Sequence, residues 1–453
     1  MNFKPSGAWD RFAAAVLVLA FAFAGWKILQ RAPASPFVVQ SASPSADAPK
    51  LVPSAGLPSQ QLSPDGRFRF DAQFVSSSPG QAVHAASLVE LRDGRLRAVW
   101  FSGSREGARD VTIQTSVMDP ASLRWSEEST LFDRQQLQQG LWRYVKKLGN
   151  PVIARAPDGT LCIWMVNVSL GGWAGSSITW ARSTDEGVTW STPRRLVTSP
   201  FLNISTLVKG APVNFQDGQI GLPVYHEFIT KFGEMVRVDA LGQVVDKIRI
   251  PGSQTNLQPV VLVTGPEKAE VYMRSGTATA LMASQTVDAG KTWASTQAST
   301  WPNPDSALAG VVTNAGARWL ALNPAPRNRE VLALLQAIPG SSFDGATPWI
   351  VESSATPQAR TSLQDYERLL TQELKASGVD EDQARAYVAS ARRQLCGEQN
   401  CSQEFSYPYL LQSRDGYLHL VYTWHRTRIK HVRLDPLQPF QAAQAVTSRV
   451  ATP

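Results

Sequence analysis

From about residue 67 onward, short apolar runs alternate with tight polar turns. The recurring unit is an apolar strand, a turn and a second apolar strand. It spans 86–91 and 96–101 around Asp93-Gly94, 151–154 and 161–166 around Asp158-Gly159, and 212–215 and 220–225 around Asp217-Gly218. Three further copies span 259–263 with 271–273, 310–313 with 319–322, and 409–412 with 418–424 around Asp415-Gly416. Asp-Gly between apolar runs is a strong hairpin signal, because both turn residues must take positive φ. Repetition at this period points to a propeller or solenoid. Six copies predict an all-β chain of six four-stranded blades.

A second pattern follows some of the hairpins. Ser183-Thr184-Asp185-Glu186-Gly187-Val188-Thr189-Trp190 is repeated as Thr286-Val287-Asp288-Ala289-Gly290-Lys291-Thr292-Trp293, with worn copies at 119–125 and 344–349. In each, a short Asp side chain can bind nearby backbone N–H groups. The Gly permits positive φ, and the Trp is a large apolar wedge.

One stretch changes period. Over 361–396, Leu363, Tyr366, Leu369, Leu370 and Leu374 fall on one face at helical spacing. Ser362 is placed to cap that helix, Gly378 to end it, and Asp380 or Asp382 to open a second. The reading is a helical hairpin inserted at 355–400, before the sixth blade.

The N-terminus has a different character. Residues 12–26 are apolar or small, with Lys4 and Arg11 before them and Lys27 and Arg31 after. This is short for a membrane span and long for the apolar part of a signal peptide. Both readings export the rest of the chain; the flanking Lys27 and Arg31 favour an uncleaved anchor. The organisation is thus a signal anchor or signal peptide at 1–30, a linker rich in Pro, Ser and Ala at 31–66, and a propeller at 67–440. Cys396 and Cys401 are spaced for a small disulfide loop in an oxidising compartment. Cys162 sits in an apolar run and reads as a buried residue. Neither Cys nor His shows metal-ligand spacing, and no cofactor is implied. The net charge of +7 comes from scattered Arg and Lys, not from the clustered basic face that nucleic acid requires.

The hairpins and Asp boxes resemble the sialidase superfamily, in its BNR/Asp-box branch. So do Val99-Trp100-Phe101-Ser102-Gly103-Ser104-Arg105-Glu106-Gly107, Gly149-Asn150-Pro151-Val152, Pro302-Asn303-Pro304-Asp305-Ser306, Glu404-Phe405-Ser406-Tyr407-Pro408, Tyr422-Thr423-Trp424 and Arg428-Ile429-Lys430-His431-Val432. The resemblance implies a six-bladed sialidase-like propeller. Its functional face would carry His84, Arg105, Arg109, Asp110, Asn150, Lys209, His226, Glu227, Gln258, Arg274, Asp305, Arg327, Glu404, Tyr407, Trp424 and Arg426. A retaining sialidase clamps a carboxylate with three arginines, protonates with an Asp, and attacks with a Tyr activated by a Glu. Arg105 and Asp110 keep the family spacing for an Arg and the acid. Arg274 matches one clamp arginine, and Arg327 or Arg329 another.

Three expected parts differ. His84 stands where the first clamp arginine falls, and Gln258 where the activating Glu falls. Phe405 stands at the position expected for the nucleophilic Tyr, two residues before Tyr407. An amide cannot take a phenol proton, so the standard retaining route is not available as written. Two routes remain. One is an acid–base pair of Asp110 with Glu404, Asp305 or Glu227. The other is a lyase, with His84, His226 or Tyr407 as base and Arg or Lys209 neutralising a uronate. The expectation is a glycan-active protein facing the periplasm or extracellular space, a hydrolase or lyase on an acidic glycan. The alternative is a non-catalytic glycan-binding or envelope-assembly propeller, in which the helical insertion offers a face for a protein partner.

Overall fold

A computed structural model of the chain describes residues 7–29, 35–39, 60–199, 203–354 and 360–437. The chain divides into two units, Met1–Ser35 and Pro36–Pro453.

The first unit holds one helix, α1 (Gly7–Leu29). The expected membrane span is not borne out there. Among the described residues no helix is long and apolar enough to cross a membrane, and the run 12–26 falls short of the roughly 20 residues a bilayer needs.

The second unit is the expected six-bladed β-propeller. The blades open with the strands Ala82–Glu90, Lys147–Arg155, Val213–Asn214, Asn256–Val263, Ala309–Val312 and Phe405–Gln412; four of the blade sheets are four-stranded antiparallel meanders, and the third and sixth carry an added strand. Second strands such as Leu161–Val168 and Leu418–Trp424 are buried along their whole length. They are covered on both faces by neighbouring blades, so they read as continuous apolar runs and do not alternate.

The ring closes with residues the sequence reading left partly in the linker. Arg69–Phe74 pairs with Arg428–Leu434 of the last blade, and Gln60–Leu62 pairs with Arg69–Phe74 in turn. Further upstream, Phe37 is fully buried and its ring stacks on Phe215 at 4.9 Å. The Phe37 N–H donates to the Pro266 carbonyl, and the Val38 N–H to Asn214. The linker expected over 31–66 is thus part of the fold at 35–39 and 60–66, with residues 31–34 and 40–59 outside the described set. The expected propeller end, 438–440, lies outside it as well.

Both full Asp boxes form as the sequence indicates. Asp185 accepts from the Thr189 N–H and hydroxyl, and Gly187 and Gly290 take φ near 84° and 80°. The worn copy at Asp119 still accepts from the N–H groups of Ala121 and Ser122.

Besides a short helix, α2 (Arg134–Leu141), the propeller unit carries the inserted hairpin α3 (Leu363–Ala376) and α4 (Glu381–Leu395). Ser362 and Asp380 cap the two helices. Cys396 and Cys401 form the disulfide at its base. Tyr366, Leu370, Leu374, Tyr387 and Ala391 are buried in one core with Trp319, Leu420 and Trp424. The apolar face that the sequence offered to a protein partner is therefore spent on the propeller itself.

Candidate functional site

Four of the inner strands share one irregularity, and it builds the site. Register slips by one residue between His84 and Ser87, Gly149 and Val152, Leu257 and Val260, and Ser406 and Tyr409. Each slip is a β-bulge whose first residue has positive φ: Ala85 at 57°, Asn150 at 38°, Gln258 at 51° and Tyr407 at 53°. In three of the four a proline follows, Pro151, Pro259 or Pro408. Proline has no N–H to give the ladder, so it is tolerated at a bulge. Bulges re-aim side chains, and backbone strain of this kind is characteristic of functional sites.

Three of the re-aimed side chains meet through a common network. Gln258 Nε2 donates to the Tyr407 hydroxyl at 3.2 Å and lies 3.4 Å from that of Tyr225. Asn150 Nδ2 donates to Tyr225 at 3.1 Å. Arg274 Nη1 reaches Gln258 Oε1 at 3.1 Å and the Tyr407 hydroxyl at 3.2 Å, while its Nε donates to Asp305 at 2.6 Å. Burial would lower the Arg274 guanidinium, but Tyr407 and Asp305 beside it hold it above its ordinary range. Tyr225, which sequence reasoning missed, is pushed well up by burial and by Tyr407. It lies in an apolar strand and carried no signal of its own.

A pair of arginines flanks this group. Arg329 donates to the Asp305 carbonyl at 2.7 Å and to Glu404 at 3.3 Å. Arg426 Nε donates to both Glu404 oxygens at 3.0 Å, and its Nη1 lies 3.5 Å from Glu106. Burial would raise the Glu404 carboxyl, but Arg426 and Arg329 hold it down at about 2. Glu404 is therefore a fixed anion that orients two cations, and too weak a base to take a proton at neutral pH. Arg426 is presented by a turn with two consecutive left-handed residues, His425 at φ 48° and Arg426 at 55°. Gln394 of α4 donates to the Arg426 carbonyl, and Tyr366 of α3 bonds His425 at 3.0 Å. The insertion thus braces the turn that carries the arginine.

Beneath Tyr407 lie two buried bases. The His84 ring centroid is 4.0 Å from that of Tyr407, and its Nδ1 is buried without a hydrogen-bond partner. Burial, then Arg426, drives His84 well below its ordinary value, so it is neutral. Lys209 donates to the Pro408 carbonyl, and to that of Leu308 at 3.2 Å; burial lowers it to about 7. Its contact with Pro408 anchors the bulge that presents Tyr407.

The remaining expected residues make no side-chain hydrogen bond to this network. Phe405 is buried against His425, so the hydroxyl in this cluster comes from Tyr407 after all. In a regular strand the two side chains would share a face, and the bulge at 407–408 breaks that rule. Arg327 is exposed outside the network, and its neighbour Arg329 takes the place expected for it. Trp424 is wholly buried, packed on Phe74 and His425, and is core. Arg105, Arg109 and Asp110 are exposed on the loop after the first hairpin. Both Asp110 oxygens accept from Ser104, so this carboxylate holds its own loop. His226 lies 2.8 Å from Glu234, in an ion-pair position outside the cluster. Glu227 is half-buried, and burial raises its carboxyl, with Arg274 and Asp305 among the charges it feels. Trp173 packs against Gly149, where a Cβ would come within 2.9 Å of the ring. Cys162 is buried, its thiol pushed up to about 11. His419 and His431 bond each other at 2.9 Å inside blade six. Among the described residues no group of His, Cys, Asp and Glu forms a metal site.

Comparison with known proteins agrees with this architecture. The chain is similar in structure to a Hadza microbial sialidase, with TM-score 0.58 and 13% identity over 78% of this chain and 66% of that one. It therefore spans just under two thirds of that sialidase. It is similar to an intramolecular trans-sialidase from Ruminococcus gnavus, with TM-score 0.56 and 11% identity over 81% and 96% of the two chains. A protein of unknown function from Dyadobacter fermentans matches with TM-score 0.58 and 10% identity over 80% and 97%. At these identities the likeness is one of fold. No curated protein matches the chain. The model of the BNR repeat-like domain matches residues 94–420, and the chain belongs to that family as a sialidase-like propeller.

Proposed function

We propose that this protein is a glycosidase-like enzyme acting on a carboxylate-bearing sugar, with Tyr407 as the reacting group. Arg274, Arg329 and Arg426 would receive the carboxylate, since a planar guanidinium offers two parallel N–H donors to it. The observation that carries the reading is the Tyr407 hydroxyl, held at 3.2 Å by both Arg274 and Gln258 on a strained bulge. Arg426 would stand in for the clamp arginine that His84 replaces, delivered from the sixth blade. The Cys396–Cys401 disulfide supports an extracytoplasmic location, with the N-terminal apolar segment serving as an export signal.

A second reading, β-elimination on a uronate, is favoured by Gln258. The two hydrogen bonds to the Tyr407 oxygen come from N–H donors, Gln258 Nε2 and Arg274 Nη1, neither of which can take its proton. Reacting as a phenolate, Tyr407 would take the proton at C5 while the C4–O bond breaks and a C4=C5 double bond forms. The same proton would then pass to the leaving oxygen, with an arginine neutralising the uronate.

Purified protein is to be incubated with sialylated and uronate-containing glycans, following reducing ends and the ultraviolet absorbance of an unsaturated product. Tyr407→Phe is expected to abolish both signals; full activity in that variant refutes the assignment. Gln258→Glu separates the chemistries: it restores a base for a hydrolase and raises turnover, whereas it opposes a phenolate and lowers elimination. Binding without either signal, lost in Arg274→Ala, would make the protein a glycan binder.

A further inference from the structure

A second cavity lies away from the mouth, on the flank of the sixth blade. Its volume is about 760 Å³, and it is walled by the closing strand Arg69–Phe74, the third strand of blade six, the outer turn of blade one and the end of α3. This is within the range of roughly 300–1,000 Å³ typical of small-molecule sites.

Its lining is densely charged, with Arg124, Arg428, Lys430, Glu352 and Glu373. Arg428 is only 7% exposed. Its Nε and Nη2 donate to the Ser76 carbonyl, and its guanidinium lies 4.0 Å from the Phe74 ring centroid. The third nitrogen, Nη1, is buried with no hydrogen-bond partner. A buried cationic N–H without an acceptor is costly. Beside it, Lys430 and the Tyr422 hydroxyl both donate to Glu352 at 2.5 Å. Glu373, from α3, completes the polar lining. Trp125 is half-buried on the opposite wall, its indole N–H donating to His431.

We propose that this flank cavity is a second saccharide-binding site, taking a short acidic oligosaccharide whose carboxylate is drawn to the cations that line it, Arg124, Arg428 and Lys430. The site is independent of the chemistry at the mouth. A carboxylate is the strongest partner for a guanidinium N–H. Glu352 and Glu373 are acceptors for sugar hydroxyls and disfavour a bare inorganic anion. An apolar ligand would bury these charged groups without adding a polar partner. Trp125 supplies an aromatic wall of the kind sugars pack against. Glu373 makes occupancy pH-dependent. Burial and Glu352 push its carboxyl up to about 6, against the pull of Lys430. Arg428 and Arg124 are the other charges lining the space. An incoming carboxylate favours the protonated form, so affinity rises as pH falls through about 6.

The test is calorimetric titration of the full chain in detergent with trigalacturonate, 3′-sialyllactose, a hyaluronan tetrasaccharide and neutral maltotriose. At least one acidic saccharide is expected to bind more tightly at pH 5.5 than at pH 8, and maltotriose at least ten-fold more weakly. Ala376→Trp, at an exposed end of α3, fills the space and should weaken that binding ten-fold or more. Repeated in the Arg274→Ala background, where the mouth is disabled, the titration should still show binding at the flank cavity. Glu373→Gln should flatten the pH dependence and supports the assignment even where Ala376→Trp fails to fold. No binding by any acidic saccharide, equal binding of maltotriose, or loss in Arg274→Ala with retention in Ala376→Trp would each overturn the proposal.

Discussion

Replacing Glu404 with Gln removes the anion between two arginines while keeping shape and hydrogen-bonding capacity. The carboxyl falls from its ordinary 4.5 to about 2 in the fold. At roughly 1.36 kcal/mol per pH unit, this corresponds to about 3 kcal/mol of preference for the ionised form. Leaving buried cations without their partner costs about 3–5 kcal/mol in comparable sites. Glu404→Gln should therefore lower unfolding free energy by about 3 kcal/mol at pH 7, read from denaturant midpoints. The sign with pH follows from the depressed value. The contribution is complete above about 4.5, shrinks as pH falls toward 2, and is absent below it. Wild type should therefore lose more stability than the variant over that window, and the two curves should converge. Equal stability at pH 7, or a difference that does not change between pH 5 and pH 2, would refute the account of Glu404 as a fixed anion.

Two other substitutions probe the frame. Phe37→Ala empties a fully buried position against Phe215 and should cost about 3–5 kcal/mol; an unchanged denaturant midpoint would mean that the segment does not dock. Reducing the Cys396–Cys401 disulfide should cost about 2 kcal/mol for so short a loop, seen as a lower midpoint with dithiothreitol. The Arg426 turn is tied to α4, so acidic-sugar affinity at the mouth should weaken with it.

The ring was legible because its signals are local. Asp-Gly turns, Asp boxes and buried second strands each declare themselves within about ten residues, and helix caps at Ser362 and Asp380 did the same. Closure of the ring was not legible. Arg69–Phe74 pairs with Arg428–Leu434 across the whole length of the chain, and a six-residue strand near a Pro-rich segment gives no sign of so distant a partner. The role of Phe37 was hidden for the same reason. At the site, residue types were legible and directions were not. Counting alternation along a strand placed Phe405 and Tyr407 on one face, whereas the bulge turns Tyr407 alone toward Arg274. The dipeptides Asn150-Pro151, Gln258-Pro259 and Tyr407-Pro408 were the available clue, because proline cannot serve the ladder at those points.

The pattern of substitutions at the mouth makes sense once the bulges are taken as the fixed element. The bulged backbone sets where the Asn150, Gln258 and Tyr407 side chains are aimed. His84 beside Tyr407 is neutral and buried, so it adds no charge where an arginine was expected. Arg426 brings one from the neighbouring blade at the cost of two left-handed residues, and Glu404 fixes its direction. That turn is in turn held by Tyr366 and Gln394 of the insertion. The helical hairpin is then a brace for one arginine. It predicts that Gln394→Ala should weaken acidic-glycan binding at the mouth while leaving global stability within about 1 kcal/mol, the scale of one hydrogen bond. If Gln394→Ala binds like the wild type while Arg426→Ala does not, the turn holds its shape without α4 and the insertion has another purpose.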